Sequence, residues 1–177
     1  MNTKQQILEA ANQLIEREGV SALTLEAVAA AAGISKGGLL YHFPNKDALI
    51  EGMVNHLIES FDERLKRHQG FADWLRAYVK LTLADMSVLS QAQFSIIAAI
   101  ANNPDLVQPV QDQTTGWQQH IERTANDPVL ATIVRLATDG LWYSEMLGIK
   151  QVSDEMKQAI EARLLEMIDD STKDNTL

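Results

Sequence analysis

Apolar residues recur along this chain at spacings of three and four almost from end to end, and nowhere does a period of two last long enough to make a strand. The pattern predicts an all-α chain of about nine helices. Helix one opens at a Thr3-x-x-Gln6 capping box, buries Ile7, Leu8, Ala11, Leu14 and Ile15 on one face, and stops at Gly19. Thr24 caps a short, alanine-rich second helix that ends at Gly33. Ser35 caps a third helix of about two turns, which ends before Pro44 because a residue preceding proline is pushed out of the helical region. Asn45 caps a long fourth helix. Its stripe of Leu49, Ile50, Met53, Val54, Leu57, Ile58, Phe61 and Leu65 is too long for three short helices to cover, so it bridges to further structure.

Beyond the polar run from Asp62 to Gln69 the signals repeat. Gly70 precedes a helix over 71–86 carrying Trp74 and Tyr78, and a Ser90-x-x-Gln93 capping box opens another over 90–102. Asn103-Pro104 and Asp127-Pro128 each place a cap residue before a proline at the first helical position, where the missing N–H costs nothing. Pro109 is expected to kink the first turns of the helix that follows, and Gln108, Gln111, Gln113, Gln118 and Gln119 on it read as a solvated face. The last two helices are expected at 128–148 and 153–170. Ser153 caps the second, with Asp154 and Glu155 in its first turn. Lys173 to Leu177 reads as a frayed tail.

Composition narrows the class. The 177 residues are 46% hydrophobic and 22% charged, enough for one real core. The chain has no cysteine, which excludes disulfides, thiolate metal sites and cysteine nucleophiles. Its longest nearly apolar run, Phe94 to Ala101, is far short of the ~20 residues of a membrane span. Ile7 and Leu8 sit among Lys4, Gln5, Gln6 and Glu9, which is no secretory leader, so a cytoplasmic protein without membrane contact is expected. His42, His56, His68 and His120 form no ligand cluster in sequence, and no metal or cofactor is implied. The net charge of −9 argues at first against nucleic acid.

The stretch from Thr24 to Leu49 changes that. Two helices separated by Gly33-Ile34-Ser35 make a helix-turn-helix. Gly37 and Gly38 each cost about 1 kcal/mol relative to alanine in a helix interior, a handicap explained if the backbone approaches something closely. Amides at a helix start, the Tyr41 hydroxyl, His42 and the Lys46 ammonium are groups that clamp phosphates. The bland alternatives are a core Tyr41 and a merely solvated Lys46.

These residues resemble the TetR family of bacterial transcriptional regulators: Thr24, Ala29, Ala32-Gly33-Ile34-Ser35-x-Gly37, Leu39, Tyr41-His42-Phe43, Lys46 and Leu49 match its DNA-binding signature with the spacing intact. The resemblance is specific over residues 3 to 50. Beyond them it rests on helix count and length and a looser likeness to short regulators of drug-efflux genes. It implies a helix-turn-helix DNA-binding domain over 1–48 and a ligand-binding and dimerisation domain over 49–177. Helix three becomes the recognition helix, with Lys36 and Gly37 nearest the base edges and Lys36 able to donate to guanine O6 and N7. Thr24, Ser35, Tyr41, His42 and Lys46 match phosphate-holding positions, Gly38 gives close backbone approach, and Leu39 and Phe43 match core positions. Leu40 stands where many relatives carry an aromatic and is placed against a thymine methyl. Glu26 replaces the arginine or lysine of some relatives, which removes one possible contact.

The same resemblance makes the larger half a sensor for a small-molecule effector, lined by Trp74, Tyr78, Phe94, Ile97, Trp117, His120, Asp139 and Trp142. Aromatics at helical spacing are equally a plain core. Asp139 interrupts an apolar helix, either as counter-ion to a cationic ligand or as the i+4 ion-pair partner of Arg135. Ile133, Leu141, Met146, Ile160, Leu164, Met167 and Ile168 are expected to build a four-helix homodimer interface. Two recognition helices about 34 Å apart would read a palindromic double-stranded operator. The function expected is therefore a ligand-released repressor.

An enzyme is the first rival, but there is no G-x-S-x-G, H-E-x-x-H or phosphate loop. The second is a helical interaction or small-molecule-binding module without operator-specific DNA binding. Position resolves the charge: residues 1–50 hold four basic residues (Lys4, Arg17, Lys36, Lys46) and five acidic ones, so the acidity belongs to the remainder.

Overall fold

The computed structural model describes residues 2–86, 103–149 and 152–173. Among them are eight α-helices and no strand: α1 (Thr3–Glu18), α2 (Leu25–Ala31), α3 (Lys36–His42), α4 (Lys46–Leu65), α5 (Phe71–Met86), α6 (Gln108–Thr124), α7 (Pro128–Met146) and α8 (Asp154–Lys173). Single 3-10 turns occupy Val20–Ala22 and Pro104–Val107. The all-α reading holds. The helix expected over 90–102, with Phe94 and Ile97, lies outside the described residues.

Most helix starts fall where the cap residues put them. Backbone N–H groups donate to Thr24 Oγ1 from Ala27 at 3.1 Å, to Ser35 Oγ from Gly38 at 3.1 Å, and to Asn45 Oδ1 from Ala48 at 2.8 Å. Asp127 accepts from Leu130 at 3.0 Å with Pro128 in the first turn, and Ser153 accepts from Met156 at 3.2 Å. Each satisfies one of the N–H groups a helix start leaves unpaired.

One expectation is corrected. The first capping box is formed by Asn2 and Gln5, not by Thr3 and Gln6. The Asn2 amide side chain bonds the Gln5 N–H, the Gln5 side chain bonds back to the Asn2 N–H, and Gln6 is used elsewhere. Pro109 is the second residue of α6, a position whose nitrogen has no intrahelical hydrogen bond to lose.

Two compact units divide the chain, the first within residues 1–60 and 90–112, the second within 61–89 and 113–177. In the first, Ile7, Leu8, Ala11, Leu14 and Ile15 of α1 pack with Val28, Ala29, Leu39, Phe43, Leu49, Ile50 and Met53. Gln6 Nε2 donates to the Ala32 carbonyl at 2.8 Å, fastening α1 to the turn between α2 and α3. That turn passes through Gly33 at φ +67°, a conformation that costs a residue with a Cβ. Gly52 has a different reason. A Cβ there would stand 2.5 Å from Phe43 Cε1, so its absence lets the Phe43 ring lie on α4 and fixes the end of α3.

The second unit is built around α5, whose Trp74, Leu75, Tyr78 and Val79 pack with Leu65, Ile121, Ala131, Val134, Leu164 and Ile168. Arg76 of α5 adds an ion pair to Asp169 of α8 at 2.5 Å. The α4 stripe is shared along its length, since Leu49, Ile50 and Met53 belong to the first core and Leu65 to the second.

Candidate nucleic-acid interface and effector groove

On the helix-turn-helix the residue pattern sorts cleanly into inside and outside. Leu39 and Phe43 are buried in the core, as expected of them. Thr24, Ser35, Lys36, Gly37, Leu40, Tyr41 and Lys46 are exposed, and Gly38 and His42 are half-buried. Tyr41 is 85% exposed, which removes the core alternative. Its ring meets the His42 ring edge-on at 5.1 Å. The Thr24 and Ser35 oxygens accept the capping N–H bonds, and a hydroxyl that accepts keeps its own proton to donate.

The paired glycines differ. A Cβ on Gly38 would approach Ser35 Oγ to 3.3 Å and crowd the cap, whereas one on Gly37 would meet nothing closer than that atom at 4.0 Å. Nothing inside the described protein asks for glycine at 37.

From the sequence alone Glu26 is only a lost contact. Its carboxylate instead pairs with the Lys36 ammonium, Nζ to Oε1 at 2.5 Å, linking the first turn of α2 to the first residue of α3. The hydrogen bond and charge of Lys36, with help from the Glu26 backbone amide, hold that carboxyl below its ordinary value. Spacing alone carries no signal of this pair, ten residues apart and across a turn.

In the second unit four of the expected lining residues, Trp74, Tyr78, Trp117 and His120, meet, joined by Phe61 and Phe71 from outside that set. Phe61, Phe71, Trp74, Tyr78, Trp117 and His120 form one continuous cluster, with ring centroids 4.8 Å apart for Trp74–His120 and 5.4 Å for Tyr78–Trp117 and Phe61–Trp117. Trp142 packs edge-on against Tyr143 instead.

At the cluster's edge the Tyr78 hydroxyl donates to Asp139 Oδ1 at 2.5 Å, and Arg135 Nη1 donates to Oδ2 at 3.0 Å. Arg135 Nε reaches Gln118 Oε1 at 3.2 Å, and Gln118 Nε2 donates to Thr132 Oγ1 at 3.0 Å. The i+4 ion pair is thus present, with Tyr78 as a third member that the sequence did not indicate. Burial pushes the Asp139 carboxyl up, opposed by the Tyr78 hydrogen bond and the Arg135 charge. Burial and the Asp139 charge likewise raise the Tyr78 and Tyr143 hydroxyls.

The reading of the glutamines as a merely solvated face is corrected at two positions. Gln118 belongs to this network, and Gln113 donates to Asp62 Oδ1, which also accepts from Trp117 Nε1, each at 3.2 Å. An open groove of about 470 Å³ lies over the network, lined by Thr114, Thr115, Gln118, Arg135, Leu136, Asp139, Gly140 and Tyr143.

The residues expected at a dimer interface separate into two sets. Ile133 is exposed, and Leu141, Ile160 and Met167 are half-buried. Met146, Leu164 and Ile168 are buried, the last two within the unit's own core. Exposed with Ile133 on α7 are Val129, Leu136 and Tyr143, at spacings of four, three and seven, and then Leu147. Among the described residues no helix is long and apolar enough to cross a membrane, and no group of His, Cys, Asp and Glu is placed to hold a metal.

An exposed helix-turn-helix on one unit and a helical unit enclosing an aromatic cluster define a two-part DNA-binding regulator. Residues 7–53 match the model for bacterial regulatory proteins of the tetR family, and residues 72–169 match the tetracyclin repressor-like C-terminal domain, more than half of the chain. The chain belongs to the TetR family, whose members are DNA-binding transcriptional regulators rather than enzymes.

The HTH-type transcriptional regulator TtgR of Pseudomonas putida is 37% identical over 60 residues, a stretch covering 34% of this chain and 29% of that relative's length. Among solved structures, the fold is shared with multidrug binding protein EbrR in complex with ethidium, at a TM-score of 0.67 and 19% identity, covering 92% of this chain and 98% of that one. A TetR-family member from Streptomyces coelicolor A3 aligns with a TM-score of 0.66 at 20% identity, covering 93% and 98%.

Proposed function

We propose that this protein is a homodimeric repressor that occupies a palindromic operator and is released by a small lipophilic cation. The observation that carries the DNA half is Tyr41, 85% exposed and one helical turn beyond a glycine, Gly37, that no internal packing requires. Thr24, Ser35, Tyr41, His42 and Lys46 hold phosphates, and Lys36, Gly37, Gly38 and Leu40 lie along base edges. Residues 1–48 make this domain and 49–177 the sensor and dimerisation domain. A dimer is needed because one helix of seven residues reads only a few base pairs. Ile133 and its exposed neighbours on α7 form the heart of its interface.

The effector half rests on Trp74, Tyr78, Trp117 and His120, with Asp139 at their edge. Aromatic faces and a carboxylate together favour a flat organic cation, the chemistry of the ethidium bound to the structural neighbour EbrR. Such a ligand shares Asp139 with Arg135. It weakens operator binding only if it binds the released state more tightly, with α4, which begins at Lys46 and ends at Leu65, carrying the change.

The test is a gel shift of the purified chain on the region upstream of its own and neighbouring genes. Wild type should shift one fragment in a salt-dependent way, with Lys36→Ala and Tyr41→Phe weaker, and a cationic dye should release it. No specific shift on any fragment overturns the reading. A thermal-shift panel of cationic dyes, fatty acids and flavonoids then identifies the effector class.

A further inference from the structure

The ion pair on the helix-turn-helix is out of place for a surface that only grips phosphate. A carboxylate repels the backbone, and by neutralising Lys36 it cancels one of only four basic residues among the first fifty. Both side chains are more than half exposed, so the pair contributes little to stability. Its geometry does offer something else, a strong donor and a strong acceptor side by side at the start of α3.

We propose that Glu26 and Lys36 read one G·C pair as a unit, Lys36 donating to guanine O6 or N7 while Glu26 accepts from the cytosine N4 amino group. This rests on the operator-binding reading above. In the major groove a G·C pair presents two acceptors and then a donor, the complement of an ammonium beside a carboxylate. An A·T pair places a donor between two acceptors and adds the thymine methyl, which the carboxylate does not tolerate. Neither partner has to release the other. An ammonium has three N–H donors and a carboxylate about four acceptor positions, so the pair persists while both contact bases. On phosphate the two requirements conflict. The pair therefore favours sequence-specific over non-specific binding, and Glu26 becomes a specificity-determining residue.

The experiment is selection from a randomised operator library with the full chain, alongside salt titrations on a duplex lacking the operator. Wild type should enrich G·C at one symmetric position in each half-site. Glu26→Gln should lose about tenfold of that discrimination. It should also bind the non-operator duplex more tightly, with a log–log salt slope steeper by about 0.9 per subunit as Lys36 turns to phosphate. Glu26→Asp, which keeps the charge, should recover most of the discrimination. Enrichment by wild type that Glu26→Gln leaves unaltered, with an unchanged salt slope, overturns this inference alone. A wild type that enriches no sequence overturns the operator reading and this inference with it.

Discussion

The Tyr78 hydroxyl donates to Asp139 Oδ1 at 2.5 Å, tying α5 to α7 through a carboxylate that Arg135 also holds. A half-buried carboxylate is an expensive way to join two helices unless every partner is kept, because removing one leaves a charge unmatched. Tyr78→Phe is expected to lower unfolding free energy by about 1.5–3 kcal/mol. Arg135→Met, which strands the charge, should cost about 3–5 kcal/mol. Urea denaturation reads both, and Arg135→Met combined with Asp139→Leu should return most of the loss.

The same carboxyl sets a pH dependence. Its pKa is raised in the folded protein, so the native state binds that proton more tightly than the unfolded chain. The stability this contributes is fully present below the ordinary value of 3.8 and is lost as pH rises through the raised native value. Wild type should therefore gain stability relative to Asp139→Asn as pH falls through that interval. Denaturation curves of both proteins across the acid range would show it, and a constant difference would contradict it.

Gly37 separates folding from binding. Alanine there meets no internal obstacle, so Gly37→Ala should raise stability by about 0.5 kcal/mol. Operator affinity should fall at the same time, since the added methyl group would stand where base edges are proposed to approach. Thermal melts and gel shifts on one preparation test the two directions together.

Gly52 should behave oppositely. A Cβ at 2.5 Å from Phe43 forces that ring off α4, and Gly52→Ala is expected to destabilise the first unit by about 1–3 kcal/mol. Pairing it with Phe43→Leu should relieve much of the loss, measured by chemical denaturation.

At the proposed dimer face, Ile133→Asp places a charge among Val129, Leu136 and Tyr143, the exposed apolar residues of α7. Light scattering at micromolar concentration should show a dimer for wild type and a monomer for this variant. Leu164 and Ile168, buried inside their own unit, should on substitution lower stability rather than the association constant alone.

The described helices and the helix-turn-helix are legible in the sequence. Cap residues such as Thr24, Ser35, Asn45, Asp127 and Ser153 bond N–H groups three residues away, so their information is local. Apolar spacing located the cores for the same reason, and the run from Thr24 to Leu49 carried its family signature within one continuous stretch. Pairings between residues distant in the chain emerged only with the packing of the helices. Tyr78 lies 61 residues from Asp139, Trp117 lies 55 from Asp62, and Gln118 reaches Arg135 across 17. Periodicity shows which face of a helix is apolar and is silent on which polar side chain of another helix that face meets. Glu26 and Lys36 show the limit at short range: two residues read separately as a loss and a contact become one object because the turn at Gly33 folds their helices together.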